Sequence, residues 1–345
     1  MKDRLLEALT RFEKSRVLVG GDLMLDVGYV GTADRISPEA PVLILNVLQE
    51  VFEPGGAANA AMNARMLGGD VDAMGLIGDD EAGDQLMSCF ASAGIDTSLI
   101  VRVPDRPTTQ KTRAFAQGRH LIRFDYEETS PVGETSVRDL LRKFRARTAL
   151  YDAVLLSDYG KGLGQPLLYR GIMECCKQKG IPVLIDPKAG DWELYQGADL
   201  IKPNDKEAQW LCDASFRGDP LEKIGPVLTE KFGASFLISC GAEGMYLWER
   251  DDPVQAFHFP ALATHVEDVT GAGDTVSATM TLCLGNQLNL REAVLLASVA
   301  AAVVVSKPGT AKMEADELTR YLEEEKVPLI AGMPLDRKDM KRSEG

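Results

Sequence analysis

The sequence predicts an α/β fold: a mostly parallel central sheet flanked by helices, with a small β-sheet as a lid. Three observations carry that expectation. Short apolar runs recur, and each ends in polar or glycine residues: residues 16–19 lead into Gly20-Gly21-Asp22, 152–156 into Ser157-Asp158-Tyr159-Gly160, 182–185 into Asp186-Pro187-Lys188, and 235–238 into Ser239-Cys240-Gly241-Ala242-Glu243-Gly244. Helical stretches separate these runs, and strands that are apolar throughout need cover on both faces. Two other regions, 27–53 and 100–126, break this rhythm with alternating apolar and polar residues, as in a sheet with one wet face.

Taken in order, residues 3–13 alternate charged and apolar positions at helical spacing, and residues 16–21 read as the first parallel strand. The small residues of 57–67 suit a helix packed closely on a sheet or approached by a ligand. Lid strands are expected around Pro41-Val42-Leu43-Ile44-Leu45-Asn46-Val47, Lys111-Thr112-Arg113-Ala114-Phe115-Ala116 and His120-Leu121-Ile122-Arg123-Phe124-Asp125, the last two joined by the turn Gln117-Gly118-Arg119. A lid would exclude water from a reactive group, whereas an ordinary structural sheet or subunit surface would show the same alternation. The Ala- and Val-rich run 295–305 ends at Ser306-Lys307-Pro308-Gly309 and reads as a buried helix, shorter than a membrane span. Residues 1–333 are thus expected to form one domain, and the charged tail 334–345 to fray.

With 345 residues and 45% hydrophobic content, the chain can bury a substantial core. Its 38 Lys and Arg stand against 52 Asp and Glu, a formal charge of −14, and no basic cluster interleaved with aromatics offers a nucleic-acid surface. An anionic substrate must therefore be held by locally placed cations, loop amides or a metal ion. The cysteines, Cys89, Cys175, Cys176, Cys212, Cys240 and Cys283, form no Cys-x-x-Cys pair, and His120, His258 and His265 lack zinc-site spacing. With no apolar signal core at the N-terminus, a reduced, cytoplasmic protein is the expectation.

The most informative segment is Asp268-Val269-Thr270-Gly271-Ala272-Gly273-Asp274-Thr275. It sets glycine amides where a helix begins and an aspartate inside its first turn, which suits phosphoryl transfer. In that reading Asp274 deprotonates an acceptor hydroxyl while the amides of Gly271, Ala272 and Gly273 stabilise charge on the phosphoryl oxygens. The plainer alternative is a helix cap or dipole partner. The segment is neither a P-loop nor a dinucleotide-binding Gly-x-Gly-x-x-Gly.

Gly55-Gly56-Ala57-Ala58-Asn59-Ala60-Ala61, with Leu67-Gly68 and Gly75-Leu76-Ile77-Gly78-Asp79-Asp80, and then residues 268–274, resemble the two signature regions of the ribokinase-like (PfkB) sugar kinases. Within that family, Arg35-Ile36-Ser37-Pro38-Glu39-Ala40-Pro41-Val42, Leu156-Ser157-Asp158-Tyr159-Gly160-Lys161-Gly162 and Val183-Leu184-Ile185-Asp186-Pro187-Lys188 look like the heptose 7-phosphate kinases of ADP-heptose synthesis. The resemblance implies ATP and Mg²⁺, a sugar phosphate acceptor, Asp274 as base and an anion hole at 271–273. It directs Asp22, Asp26, Gly55, Gly56 and Asn59 to the sugar, although Val27-Gly28-Tyr29 stands where the heptose kinases usually continue with Arg-Tyr.

Lys111, Arg123, Lys161 and Lys188, with Arg35 and Arg113 behind them, are the candidate cations for an acceptor phosphate; alternation puts Lys111 with Arg113 on one strand face and Arg123 with Asp125 on one face. Residues 201–207 match the family's Asn-x-x-Glu element, so Asn204 and Glu207 are expected to hold Mg²⁺ through water, with Asn204 also on the nucleotide side; a helix start with its cap is the bland alternative. Ser239, Gly241, Gly244 and Thr270 are assigned to the nucleotide by resemblance, as is Lys307, whose contact is left open. A dimer through the lid is expected by analogy, and the chain has no room for the nucleotidylyltransferase that two-domain relatives carry, so a separate protein is expected to perform that step. Another sugar or sugar phosphate, such as ribose or a fructose phosphate, is the alternative substrate, and a noncatalytic sugar or nucleoside binder the alternative class.

Overall fold

The computed structural model describes residues 2–188, 192–307, 309, 311–324 and 332–334. In chain order the elements begin α1 (Lys2–Phe12), β1 (Arg16–Gly21), β2 (Leu23–Ile36), β3 (Leu43–Gly56), α2 (Ala57–Met66), β4 (Asp70–Gly78), α3 (Glu81–Ala93), β5 (Asp96–Val103), β6 (Thr109–Ala116) and β7 (Arg119–Tyr126). They continue α4 (Glu134–Arg147), β8 (Ala153–Ser157), α5 (Pro166–Lys179), β9 (Val183–Asp186), β10 (Leu200–Ile201), α6 (Asp205–Leu211), α7 (Leu221–Phe232), β11 (Ser235–Ser239), β12 (Met245–Glu249) and β13 (Asp252–Phe259). The last are α8 (Ala272–Gly285), α9 (Leu290–Val305), α10 (Ala315–Glu323) and β14 (Met333–Pro334).

The large sheet runs β14-β13-β12-β11-β10-β9-β8-β1-β4-β5. Every pairing from β5 to β11 is parallel, and β12, β13 and β14 add an antiparallel edge. Successive strand residues enter opposite cores, which is why these strands are apolar throughout. Val17, Val19 and Leu155 join α1, α2, α3, α8, α9 and α10, whereas Leu18, Val154 and Leu156 join α4, α5, α6 and α7. The apolar run at 295–305 is the buried part of α9.

The small sheet is ordered β3-β2-β6-β7, with β2 and β6 parallel at its centre and antiparallel partners outside. Its strands overrun the expected segments: β2 starts at Leu23 and β3 continues to Gly56, delivering the chain directly into α2. The second segment is shorter than expected. Residues 100–103 belong to β5 and pair with β4 in the large sheet, so the small sheet resumes only at Thr109. Of the tail expected to fray, residues 335–345 lie outside the described residues. All six cysteines are free thiols, and among the described residues no helix is long and apolar enough to cross a membrane.

Candidate active site

The C-terminal ends of β1, β8, β9 and β10 gather at the start of α8, where a parallel sheet places its ligands. Gly271 precedes α8 with φ 80°, a left-handed conformation that glycine adopts without the Cβ clash of other residues. That turn opens the helix, and Asp274 follows in its first turn. The Asp274 side chain turns inward and the residue is only 7% exposed. Asn59 Nδ2 donates to its Oδ2 at 2.7 Å and the Tyr159 hydroxyl donates to its Oδ1 at 2.8 Å. Burial pushes its carboxyl up to about 6, with the nearby Asp186 carboxylate adding to the rise, while the two hydrogen bonds and the charge of Lys202 oppose it. A simple helix cap would bond its own helix's amides. Both carboxylate oxygens here instead meet residues from other elements, in the environment of a general base poised near neutrality.

α2 lies against α8 because its inward positions are alanine: Ala57, Ala58, Ala60, Ala61 and Ala64 are fully buried. This brings Asn59 to Asp274. Asn63 Nδ2 donates to Asn59 O and Oδ1, and Thr275 Oγ1 donates to Asn63 Oδ1, so the orientation of Asn59 is fixed by a buried network. Gly56 starts this helix with φ 56°. Gly55 lies against Asp26, whose Oδ2 would be 2.6 Å from an added β-carbon.

Asp22 Oδ2 accepts the backbone amides of Tyr159 and Lys161 at 2.8 and 3.0 Å. Burial raises its pKa against those bonds. Tyr159 therefore ties two predicted functional carboxylates together, Asp22 through its amide and Asp274 through its hydroxyl. The small sheet supplies the opposite wall. Its register aligns Asp26 with Lys111, Lys111 with Asp125, and Arg113 with Arg123, so these groups share one face. Arg113 donates to Asp26 at 2.8 Å, and the Lys111 ammonium lies over the Tyr159 ring, 5.0 Å from its centroid. Burial holds Lys111 below the usual lysine range, partly offset by Asp26. Arg123 forks onto Asp125 at 2.9 and 3.0 Å, and Lys161 pairs with Glu127 at 2.6 Å. Arg35 is an exposed residue of β2 in register with Ile44.

On the other side of the strand ends, Asn204 and Glu207 form a capping box for α6: Asn204 Oδ1 accepts the Glu207 amide at 2.8 Å and Glu207 Oε2 the Asn204 amide at 2.9 Å. Lys188 is half exposed, with its ammonium 3.4 Å from Glu207 Oε1. Ser239 is bridged to Asn204, and Gly241 and Gly244 flank a single helical turn closed by the Cys240 amide on Gly244 O at 2.8 Å. The Thr270 amide donates to Asp268 Oδ1 at 2.8 Å beside the helix start. Lys307, whose contact the sequence leaves open, places its ammonium 2.5 Å from Glu317 Oε2. Among the described residues no group of three or more His, Cys, Asp or Glu side chains is gathered as a metal cage.

Four further site residues, Tyr159, Asp186, Lys202 and Ser277, were not singled out by sequence. Lys202 Nζ lies 3.0 Å from Asp186 Oδ2, which also accepts the Ser277 hydroxyl at 2.6 Å. A signal was present for three of them, since Tyr159, Asp186 and Lys202 stand at the ends of β8, β9 and β10.

The profile of the pfkB family carbohydrate kinases matches residues 14–317. Proteins named bifunctional protein HldE are similar over most of this chain. That of Campylobacter fetus is 40% identical over 297 residues, 86% of this chain and 64% of its own length. That of Alkalilimnicola ehrlichii is 41% identical over 320 residues, 92% of this chain and 65% of its own. The chain thus spans less than two thirds of either relative. Among solved structures, Arabidopsis thaliana ribokinase complexed with ribose and ATP superposes with a TM-score of 0.69 at 18% identity, covering 90% of this chain and 98% of that one. Escherichia coli phosphofructokinase-2 in complex with substrates and products gives 0.71 at 21% identity, with the same coverage. The fold is ribokinase-like, and the chain belongs to the pfkB family of carbohydrate kinases as an ATP-dependent sugar kinase.

Proposed function

We propose that the chain transfers the γ-phosphoryl group of ATP to the anomeric hydroxyl of D-glycero-D-manno-heptose 7-phosphate, giving the 1,7-bisphosphate for ADP-heptose and lipopolysaccharide core synthesis. The observation that carries the transfer chemistry is the buried Asp274 carboxyl, raised to about 6 and set in the first turn of α8 behind the glycine turn. The acceptor hydroxyl displaces one of the two donors on Asp274 and gives up its proton there. Its oxygen bonds to the γ-phosphorus as the bond to the bridging oxygen breaks and ADP leaves, while the amides at 271–273 face the moving charge.

The heptose 7-phosphate assignment is supported by the three motif matches at 35–42, 156–162 and 183–188, by the identity to the HldE relatives, and by the cationic face of the small sheet. Arg113, in register with Gly28, brings a guanidinium to Asp26 from the neighbouring strand, which offsets the missing Arg after Asp26. Lys111 and Arg123 supply further charge for the 7-phosphate, and Lys188 stands across the cleft. Mg²⁺ keeps most of its water and needs few protein ligands. The Asn204–Glu207 pair, already engaged as a cap, fits a water-mediated role, in which the ion would neutralise donor phosphate charge. The relatives' second activity is no part of this proposal.

Six free thiols support a reducing, cytoplasmic setting. A second copy of the chain on the small sheet is supported by its apolar face, where Phe52, Ile122, Phe124 and Tyr126 are exposed. The substrate test is a panel of ATP and Mg²⁺ with the β and α anomers of the heptose 7-phosphate, ribose, and fructose 1- and 6-phosphate, followed by mass spectrometry of ADP and phosphorylated sugar. Preferential bisphosphate formation from one heptose anomer is expected; turnover with another sugar alone would leave the kinase chemistry and remove the heptose assignment.

A further inference from the structure

The small sheet is joined to the rest of the chain by four crossings, β1 to β2, β3 to α2, β5 to β6 and β7 to α4. The third, residues 104–108, is pinned at its end. Asp80 takes the Thr108 amide on one carboxylate oxygen and the Thr108 hydroxyl on the other, at 2.8 and 2.6 Å, and the Gly78 amide donates to that hydroxyl at 2.8 Å. A β-carbon on Gly78 would lie 2.6 Å from the Arg106 carbonyl oxygen, so this glycine admits the crossing against the end of β4. From that fixed post the Arg106 guanidinium spans two other segments. Nη1 donates to Ser130 O at 3.0 Å, and Nη2 donates to Glu128 O and, at 2.5 Å, to Lys161 O. Residues 128 and 130 belong to the fourth crossing and Lys161 to the loop after β8. A rigid fork of N–H donors suits carbonyls fixed on separate segments, where the point charge of an ammonium does not.

The loop after β8 is shaped to receive this side chain. Gly162 has φ 87°, and a β-carbon on it would lie 2.1 Å from Ser130 O and 3.0 Å from Arg106 Nη2. Within the same loop the amides of Tyr159 and Lys161 donate to Asp22 Oδ2, and the Tyr159 hydroxyl donates to Asp274. Three consecutive residues therefore run from Asp274 at one end to Arg106 at the other. The fourth crossing is sewn to the loop by further bonds, from the Val132 amide to Gly162 O at 3.1 Å and from Lys161 to Glu127 at 2.6 Å. Arg106 adds the third crossing to that seam, and β6 beyond it carries Lys111 over the Tyr159 ring. We infer that Arg106 is a positioning residue for Asp274, holding the Lys161 carbonyl against both crossings so that the Tyr159 hydroxyl stays on the carboxylate. Arg106 meets no reacting atom and takes no part in proton or phosphoryl transfer. The inference rests on the reading of Asp274 as the base.

The test compares the wild type with Arg106→Met, Arg106→Lys, Tyr159→Phe and Arg106→Met/Tyr159→Phe. Steady-state kinetics with the acceptor that turns over give kcat/KM across about pH 5–8, and calorimetry gives the affinity for ADP. Asn59, Asp186 and Lys202, the other groups facing Asp274, are unchanged in every variant. Both Arg106 variants are expected to lower kcat/KM roughly tenfold and to move its midpoint upward by about half a pH unit, because a loosened Tyr159 favours the ionised carboxylate less, with ADP affinity held within about twofold. In the Tyr159→Phe background Arg106→Met is expected to move the midpoint no further, since the two act through one hydroxyl. A midpoint that Tyr159→Phe moves and the Arg106 variants do not would make Arg106 a loop staple, which overturns the inference and leaves the base. A midpoint that no variant moves would remove the base reading as well. A full additional shift in the double variant would show Arg106 acting on Asp274 by its charge, which also overturns the inference. Should Arg106→Met fail to fold, Arg106→Lys decides on the same readouts, alone and with Tyr159→Phe.

Discussion

Tyr195 has one hydroxyl proton and two oxygen neighbours, Asp158 Oδ2 at 3.0 Å and Lys188 O at 2.8 Å. One proton cannot fully serve both acceptors, and a donor at the Asp158 position would leave Tyr195 free to donate to the carbonyl. Burial pushes Asp158 up to about 6, with the neighbouring Asp22 charge adding to the rise and the Gly160 amide and Tyr195 hydroxyl opposing it. A carboxyl whose folded pKa lies above its unfolded value of 3.8 binds more protons in the native state between the two values, so its contribution falls as pH rises from 3.8 through about 6. Asp158→Asn, whose amide donates to Tyr195 at every pH, is therefore expected to stabilise the fold by on the order of 2 kcal/mol at pH 8 and hardly at all below pH 4, read by urea unfolding at both. Equal effects at the two values would contradict a raised Asp158. The same reasoning applies to the base. With Asp274 as the proposed base, activity would require its ionised form, so kcat/KM is expected to rise with pH through about 6. Tyr159→Phe removes a donor that favours the ionised form and should move that midpoint upward by about one unit, while Asp274→Asn should cost roughly 100-fold or more in kcat. An unmoved midpoint would remove Tyr159 from control of the base. Sequence marked Asp274 through its glycines, because a helix start is a local pattern. Tyr159 is 115 positions away from it and bonds to it only once β8 and α8 are assembled, so nothing local announces the contact.

At the scale of elements, the strand-and-loop rhythm of the large sheet was legible because each central strand is apolar on both faces, and that pattern survives any detail of packing. Residues 100–103, the second half of β5, read as lid for a physical reason. β5 is the edge strand of the large sheet and only partly covered, and a half-covered edge strand has the same composition as a strand of a one-sided sheet. The Asn-x-x-Glu element shows the opposite ambiguity, since a capping box and a water-mediated metal site call for the same two residues at the same spacing. Substitution separates the roles. Asn204→Ala is expected to lower stability by about 1 kcal/mol, and Asn204→Asp, an equally good cap, to change it little. If both variants raise the Mg²⁺ concentration needed for half-maximal turnover, the proposed water-mediated role stands beside the cap; if only Asn204→Ala differs from wild type, capping accounts for the pair.

For the whole molecule, the decisive asymmetry lies between the two faces of the small sheet. Asp26, Lys111, Arg113, Arg123 and Asp125 share the polar face, and Lys111 meets Tyr159 there, which directs that face into the cleft. Alternation then puts Ile122, Phe124 and Tyr126 of β7 on the other face, where Phe124, Thr112, Val27 and Phe52 are in register across the four strands. Val27 and Thr112 are buried within the chain, but Ile122 is 58% exposed and Tyr126 57%. A cluster of large apolar side chains exposed on a sheet is a poor end state in water for a single chain. Covering it with the same face of a second copy would bury it and brace the polar face over the cleft, so assembly and catalysis should be linked. Ile122→Glu/Phe124→Glu is expected to convert the proposed dimer to a monomer in sedimentation velocity and to raise the KM for the sugar phosphate while leaving the affinity for ADP nearly unchanged. A wild type that sediments as a monomer at micromolar concentration would refute the dimer. A variant that loses the dimer yet keeps its KM would show that the small sheet holds its cationic face in place without help from a partner.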